Sequence, residues 1–453
     1  MKKKPVIILH GWSDSSDSFR NLARTISEQT DRKTDHIWLG DYVSLDDDVR
    51  ISDLAAALQY AWQAMSLSTE PHSQDVILHS TGGLILREWM QTYYMDRAIK
   101  PPVQNVVMLA PANFGSPLAH KGKSVIGRVF KGATSDKLFE TGEKILQGLE
   151  MASPFSWHLA ERDRFHKNAF SDGGVLCTVI VGNEGYGGIR GMVNENGSDG
   201  TVYVATANLN TARLGITVER SEAGEITASD HQACLGRTAF LVLDQYNHSD
   251  ITGSEKVTSR LLAPILEALS VKATLFPKWC EACDLQNQAI HQKYYRRRDK
   301  AQHSFQNTVF HVVDDHGYDV CDYAIEFYGD FEAEDDHWAN VFNKSISGKT
   351  HVYGDNSSYR SFMIDVTSLQ RELEGNVKPL RVSLTALPNV EEEASLVGYR
   401  SVGVSQIGHL SLDIADLNTF FQPNRTLLIT ITLPRYQKSE LFKLAQLSAF
   451  TGN

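Results

Sequence analysis

Val76-Ile-Leu-His-Ser-Thr-Gly-Gly83 decides how this chain is read. A short apolar strand at 76–78 runs through His79 into Ser80, and a helical pattern over 82–94 begins at once. A serine between a strand and a helix sits on a sharp turn at the carboxyl end of a sheet, with its hydroxyl presented outward. Gly82 and Gly83 let the helix leave close to the strand, where side chains would collide with the strand backbone. The N–H of Thr81 then stands at a helix N-terminus, where it suits an oxyanion.

Around this stretch, apolar strands alternate with helical patterns. Strands are expected at 6–9, 36–39, 105–110 and 176–182. Helices are expected at 18–30 (Phe19, Leu22, Ala23 and Ile26 on one face), at 51–65 and at 261–269. Strands separated by helices predict βαβ units and a parallel sheet, so the fold class is α/β. Residues 115–174 exceed an ordinary βα connection. Val125, Ile126, Val129, Phe130, Leu138, Phe139, Ile145, Leu146, Leu149 and Met151 make this insertion a helical cap. From about residue 272 the period changes to short strands near 309–313, 323–327, 361–366, 380–387, 410–412 and 427–433. These predict a β-rich, sandwich-like C-terminal domain. The expected division is therefore 1–271 and 272–453, in keeping with a 453-residue chain too long for one core.

Two segments carry a family resemblance. Pro5-Val-Ile-Ile-Leu-His-Gly-Trp12 and Leu78-His-Ser-Thr-Gly-Gly83 resemble lipases of the α/β-hydrolase fold, both bacterial lipases and the lipases similar to GPI inositol-deacylases. The resemblance covers about residues 5–270. It implies Ser80 as nucleophile, with the backbone N–H groups of Trp12 and Thr81 as the oxyanion hole. Asn113-Phe-Gly-Ser-Pro117 resembles the segment after the next strand in those enzymes. Gly197-Ser-Asp-Gly-Thr-Val202 resembles the segment that carries their acid, which maps to Asp199. Tyr246-Asn-His-Ser-Asp-Ile251 resembles the setting of their histidine, which maps to His248. The family usually has glycine two residues before the nucleophile; here it is Leu78, and the turn must accommodate that side chain.

The chemistry agrees with this mapping. An activated serine needs a base, and the base needs an acid to orient it. The competing candidates are Asp172, which precedes the strand expected before the acid, and His231. Asp14 and Asp17 read as loop or capping residues. The expected reaction is hydrolysis of a lipid-like carboxylic ester, with no metal or organic cofactor required. Its rivals are a small-ester, thioester or amide hydrolase with the same triad, and a binding protein on a hydrolase fold, since fold alone does not prove function.

Cys280 and Cys283 form a single Cys-x-x-Cys without a matching second pair, poor grounds for zinc. The five cysteines are an odd, sparse set, so no disulfide framework is expected and a reducing compartment fits. A net charge of −11 argues against a nucleic-acid partner. No apolar run reaches the length of a membrane-spanning helix, and residues 1–9 lack a signal-peptide pattern, so a cytoplasmic location is expected. The basic run at 293–300 reads as a solvated helix face. Its alternative is an anionic surface, through which the C-terminal domain would touch a membrane or a protein partner.

Overall fold

The computed structural model describes residues 4–9, 19–37, 48–121, 142–170, 174–220, 226–228, 231–297, 300–328, 345, 350–372, 378–403, 410–412 and 420–442. In chain order the strands are β1 Val6–Leu9, β2 Thr34–Ile37, β3 Gln74–His79, β4 Val103–Leu109, β5 Leu176–Gly182, β6 Ala212–Val218, β7 Ile226–Ala228, β8 Gln232–Ala233 and β9 Ala239–Leu243. They continue with β10 Phe305–Asp314, β11 Tyr323–Tyr328, β12 Thr350–Val352, β13 Tyr359–Asp365, β14 Lys378–Ala386, β15 Val397–Gly398, β16 Leu410–Leu412, β17 Arg425–Leu433 and β18 Tyr436–Gln437. The helices include α1 Arg20–Thr30, α2 Ile51–Ala64, α3 Gly82–Tyr93, α4 Glu143–Leu149, α5 Pro154–Ala160, α6 Ser259–Ser270 and α7 Phe276–Tyr295.

The first sheet has the order β2-β1-β3-β4-β5-β9, and every pair in it is parallel. Helices cover both faces of such a sheet, so its strands read as unbroken apolar runs. β1, β3, β5 and β9 are buried at every residue. The chain builds β2 on one side of β1 and β3 onward on the other. That change of direction falls at the carboxyl ends of β1 and β3, the position at which open α/β sheets bind ligands.

The second sheet has the order β12-β13-β10-β17-β6-β7, with β8 also paired to β6. A three-stranded sheet, β11-β14-β16, shares its core: Phe310, Val312, Leu427 and Ile429 pack in one cluster with Leu384 and Ala386. The C-terminal part is therefore β-rich. Strand pairing does not follow the expected division at 271/272, however. β6 lies parallel to β17 over Ala212–Thr217, so β6, β7 and β8, all from before 271, form one side of the second sheet. Beyond 271, α7 packs back on the first core. Phe276, Cys280 and Cys283 are buried there, and Trp279 Nε1 donates to Thr178 Oγ1 on β5 at 3.0 Å. Cys280 and Cys283 are core thiols, and burial pushes the Cys283 thiol well up.

Of the insertion, residues 115–121, 142–170 and 174 are described. Its Val125, Ile126, Val129, Phe130, Leu138 and Phe139 lie outside the described residues. The rest forms α4, α5 and a π-helical turn at Glu161–His166. That turn anchors the helix after Ser80. Asp163 takes Arg87 Nε at 2.7 Å and Nη2 at 3.1 Å, and both side chains are almost wholly buried. Arg87 also donates to Asn113 O at 3.0 Å, so one guanidinium ties α3 to the insertion and to the loop after β4.

Candidate active site

Ser80 follows β3 directly and has φ +54°, left-handed backbone that a non-glycine residue rarely adopts. Strain of this kind persists only where the surroundings hold it. Here Ser80 N donates to Leu109 O on β4 at 3.1 Å. Ser80 O accepts from Gly83 N at 3.1 Å and from Ala112 N at 3.2 Å. Thr81 has helical backbone and opens α3, so its N–H belongs to the unpaired first turn of that helix.

The two glycines leave room for close neighbours, but these are side chains and the loop after β4 rather than the strand backbone expected from the sequence. A Cβ on Gly83 would lie 2.8 Å from Pro111 Cβ and 3.0 Å from Asn113 Oδ1. A Cβ on Gly82 would lie 3.3 Å from Leu78 Cβ. This second contact explains how Leu78 replaces the usual glycine. The side chain points across the turn at Gly82, which has none, and is fully buried there.

Asp199 and His248 come from loops far apart in sequence and meet. His248 Nδ1 lies 2.8 Å from Asp199 Oδ2, with both side chains almost completely buried. The other carboxylate oxygen accepts from Thr201 N at 3.0 Å and Val202 N at 2.8 Å. The two loops are also joined by backbone, His248 N to Asp199 O at 2.9 Å. The carboxylate is thus fixed from one side by two N–H groups and aims its remaining oxygen at the imidazole.

The link from this pair to Ser80 runs through a residue the sequence reading passed over. His79, the last residue of β3, places Nε2 3.1 Å from His248 O, and its ring lies 4.5 Å from the His248 ring, tilted by 45°. His248 is therefore held against the residue immediately before Ser80. The signal was the polar residue that follows the apolar run Val76-Ile-Leu78.

Tyr186 was missed as well. Its hydroxyl is 2.8 Å from Thr201 Oγ1 in the acid loop, and it packs with Leu118 and Leu146 beside that loop. Burial, together with the Asp199 charge, pushes its hydroxyl well above the ordinary tyrosine value. Asn113-Phe-Gly-Ser-Pro117 acts as a brace. Asn113 Nδ2 donates to Ala207 O at 2.8 Å, and Ser116 Oγ donates to Thr201 O at 2.6 Å.

Trp12 and the rival acid Asp172 lie outside the described residues, as do Asp14 and Asp17. His231, the rival base, sits instead against Phe420, ring centroids 6.0 Å apart. No group of described residues could hold a metal ion, and no described helix is long and apolar enough to cross a membrane.

No protein-family model matches the sequence, and no curated protein is similar to it by sequence. Solved structures are. Phospholipase PlaB from Legionella pneumophila aligns over 99% of this chain and 97% of its own, at 24% identity and a TM-score of 0.83. A second structure of that phospholipase, in complex with thio-NAD, aligns over 98% and 97% with a TM-score of 0.82. A lipase from Bacillus licheniformis aligns over 59% of this chain and 93% of its own, at 15% identity and a TM-score of 0.36. The first two cover both the parallel sheet and the β-rich part. The chain has an α/β-hydrolase fold extended by C-terminal β-sheets, and it shares that whole architecture with the phospholipase.

Proposed function

We propose that this protein is a serine hydrolase of carboxylic esters, acting on lipid-like substrates through Ser80, His248 and Asp199. The observation that carries the reading is the buried 2.8 Å Asp199–His248 contact, held by His79 beside a serine at φ +54°. The full-length likeness to a phospholipase supports the lipid-like substrate class.

In the reaction, His248 takes the proton of Ser80 as its oxygen attacks the ester carbonyl. Asp199 holds the imidazole with its proton on Nδ1 and stabilises the charged form that results. The negative charge on the carbonyl oxygen is met by the Thr81 N–H at the start of α3 and, from the resemblance, by the N–H of Trp12. The tetrahedral intermediate expels the alcohol, which takes the proton from His248. Water then attacks the acyl-enzyme with His248 as base, releasing the acid and restoring Ser80. Leu118 and Leu146 pack with Tyr186 next to the Asp199 loop, an apolar cluster that we assign to the acyl side of the substrate.

A fluorophosphonate probe tests the nucleophile. The wild-type chain should be labelled once, at Ser80. Ser80→Ala should remain folded, resist labelling and hydrolyse neither short nor long acyl esters above the residual rate that an oxyanion hole alone supports. Labelling of the variant at the wild-type rate would remove Ser80 from the mechanism.

A further inference from the structure

His248 follows the carboxyl end of β9. At the amino end of that five-residue strand, roughly 16 Å away along its length, α7 and the entry to β17 line an open cavity of about 560 Å³. It lies where the two parts of the molecule meet, apart from the ester-hydrolysis machinery.

Most charged and titratable groups on its wall are already matched. Arg237 is paired with Asp284. His291 has both ring nitrogens engaged, Nδ1 with Ser304 Oγ at 3.0 Å and Nε2 with Gln370 Oε1 at 2.9 Å, and burial lowers its pKa so that it stays neutral. Arg425 is the exception. It is only 9% exposed, yet its Nε is sealed from solvent and has no hydrogen-bond partner, and no carboxylate among the described residues pairs with it. A guanidinium enclosed without an anion is costly, and proteins normally supply a partner. At the solvent side of the cavity, Gln288 and Gln292 stand one helical turn apart on α7, with side-chain amides that make no hydrogen bond among the described residues.

We propose that this cavity binds a small polar carboxylate, clasped by Arg425, with Gln288 and Gln292 meeting its remaining polar groups. The charge balance selects the class. With Arg237 matched by Asp284 and His291 neutral, the wall carries one unmatched positive charge, which a single carboxylate neutralises. A guanidinium presents two parallel N–H groups in the geometry that a carboxylate accepts. The amide-lined wall does not suit a long acyl chain, so a fatty acid released by ester hydrolysis is not the expected occupant.

The test is thermal unfolding of the full chain in sodium acetate or sodium lactate against sodium chloride of equal ionic strength, with inorganic phosphate as a separate arm. A ligand that binds only the folded state raises the midpoint in a saturable way. Wild-type protein should show that rise with acetate and lactate. Arg425→Gln, which removes an enclosed and unmatched charge, should unfold in chloride at or above the wild-type midpoint and show no rise with either carboxylate. The proposal is overturned if wild type gives the same midpoint in carboxylate and chloride, or if the variant rises as wild type does. It is also overturned if Arg425→Gln is less stable in chloride, because Arg425 would then have a structural partner. A rise with phosphate alone would refute the carboxylate class.

Discussion

Asp199→Asn separates the proposed triad from a mere structural contact. One carboxylate oxygen of Asp199 accepts two backbone N–H groups, Thr201 at 3.0 Å and Val202 at 2.8 Å; the other faces His248 Nδ1 at 2.8 Å. An asparagine must place its single carbonyl oxygen on one side or the other. Facing its NH2 to Thr201 and Val202 would set donors against two buried donors, a loss of about 1–3 kcal/mol for each unsatisfied group. The amide oxygen therefore stays with the backbone and the NH2 turns to His248. Nδ1 must then accept, so the imidazole proton moves to Nε2, the nitrogen that has to receive the Ser80 proton. In the serine-protease triad, the same wrong-tautomer exchange costs about ten-thousand-fold in kcat, or ~5.4 kcal/mol of activation free energy. The same order is expected here, with little change in KM. The fold should survive, because the backbone bonds His248 N to Asp199 O and Asp199 N to Val202 O do not involve the side chain. Steady-state kinetics on a soluble nitrophenyl ester, with circular dichroism as the folding control, measures the effect. A folded variant retaining turnover within about tenfold of wild type would refute the tautomer argument and the assignment of Asp199 with it.

Gly83→Ala should lower stability by about 1–3 kcal/mol in a urea titration, because its Cβ would meet Pro111 Cβ at 2.8 Å. Turnover should fall by up to ~100-fold as the start of α3 shifts, and unchanged kinetics would show that the turn tolerates the contact. Stability should also fall in acid through Asp365. Burial alone would raise its pKa, but the hydrogen bond and charge of His303 and the bonds from Ser368 outweigh it and hold it below the ordinary carboxylate value. A depressed folded-state pKa contributes stability that is present above the unfolded value of about 3.9 and lost as pH falls through the folded one. Urea midpoints should therefore drop below about pH 4, less steeply in Asp365→Asn; parallel acid limbs would exclude Asp365 as the source. Finally, a fragment ending at residue 271 should be insoluble or inactive, since β6 would lose β17. A soluble fragment with full turnover on a short ester would contradict this.

The turn at Ser80 was legible in the sequence because its determinants are local. An apolar strand, a serine and two glycines lie between residues 76 and 83, which is enough to mark the turn, although the close contacts that require Gly83, with Pro111 and Asn113, are tertiary. The loops carrying Asp199 and His248 were legible only by resemblance. Their meeting depends on β5 and β9 lying side by side, which no local period encodes. β6 was missed for the same kind of reason: it is half-buried over most of its length, so it shows no apolar run, and its partner is over 200 residues away. α7 was hidden by its composition, with only Phe276, Cys280, Cys283 and Tyr294 buried along twenty residues. Few buried positions give a weak helical period, and the Cys-x-x-Cys within it drew attention to chemistry when the thiols serve packing.

These misses share a consequence for the site. The acid loop does not rest on the first sheet alone. Gly197 N donates to Ala301 O at 2.7 Å, and the Phe305 ring fills the space where a Gly197 side chain would stand, 2.3 Å from an ideal Cβ. Tyr203 and Ala205, just beyond Asp199, pack in one cluster with Phe305 of β10, Met363 of β13 and Met151 of the insertion. Thr426 Oγ1 of β17 donates to Ala205 O at 3.2 Å, and Thr211 Oγ1 donates to Thr426 O at 2.7 Å. A catalytic carboxylate must be held to within a fraction of an ångström to fix a histidine tautomer. In this chain the peptide N–H groups that hold Asp199 belong to a loop pressed between two sheets. The β-rich part is therefore the back wall of the acid loop. Phe305 and Met363 pack in the cluster behind the Asp199 loop, whereas Tyr323 of β11 and Leu384 and Ala386 of β14 pack in the second core.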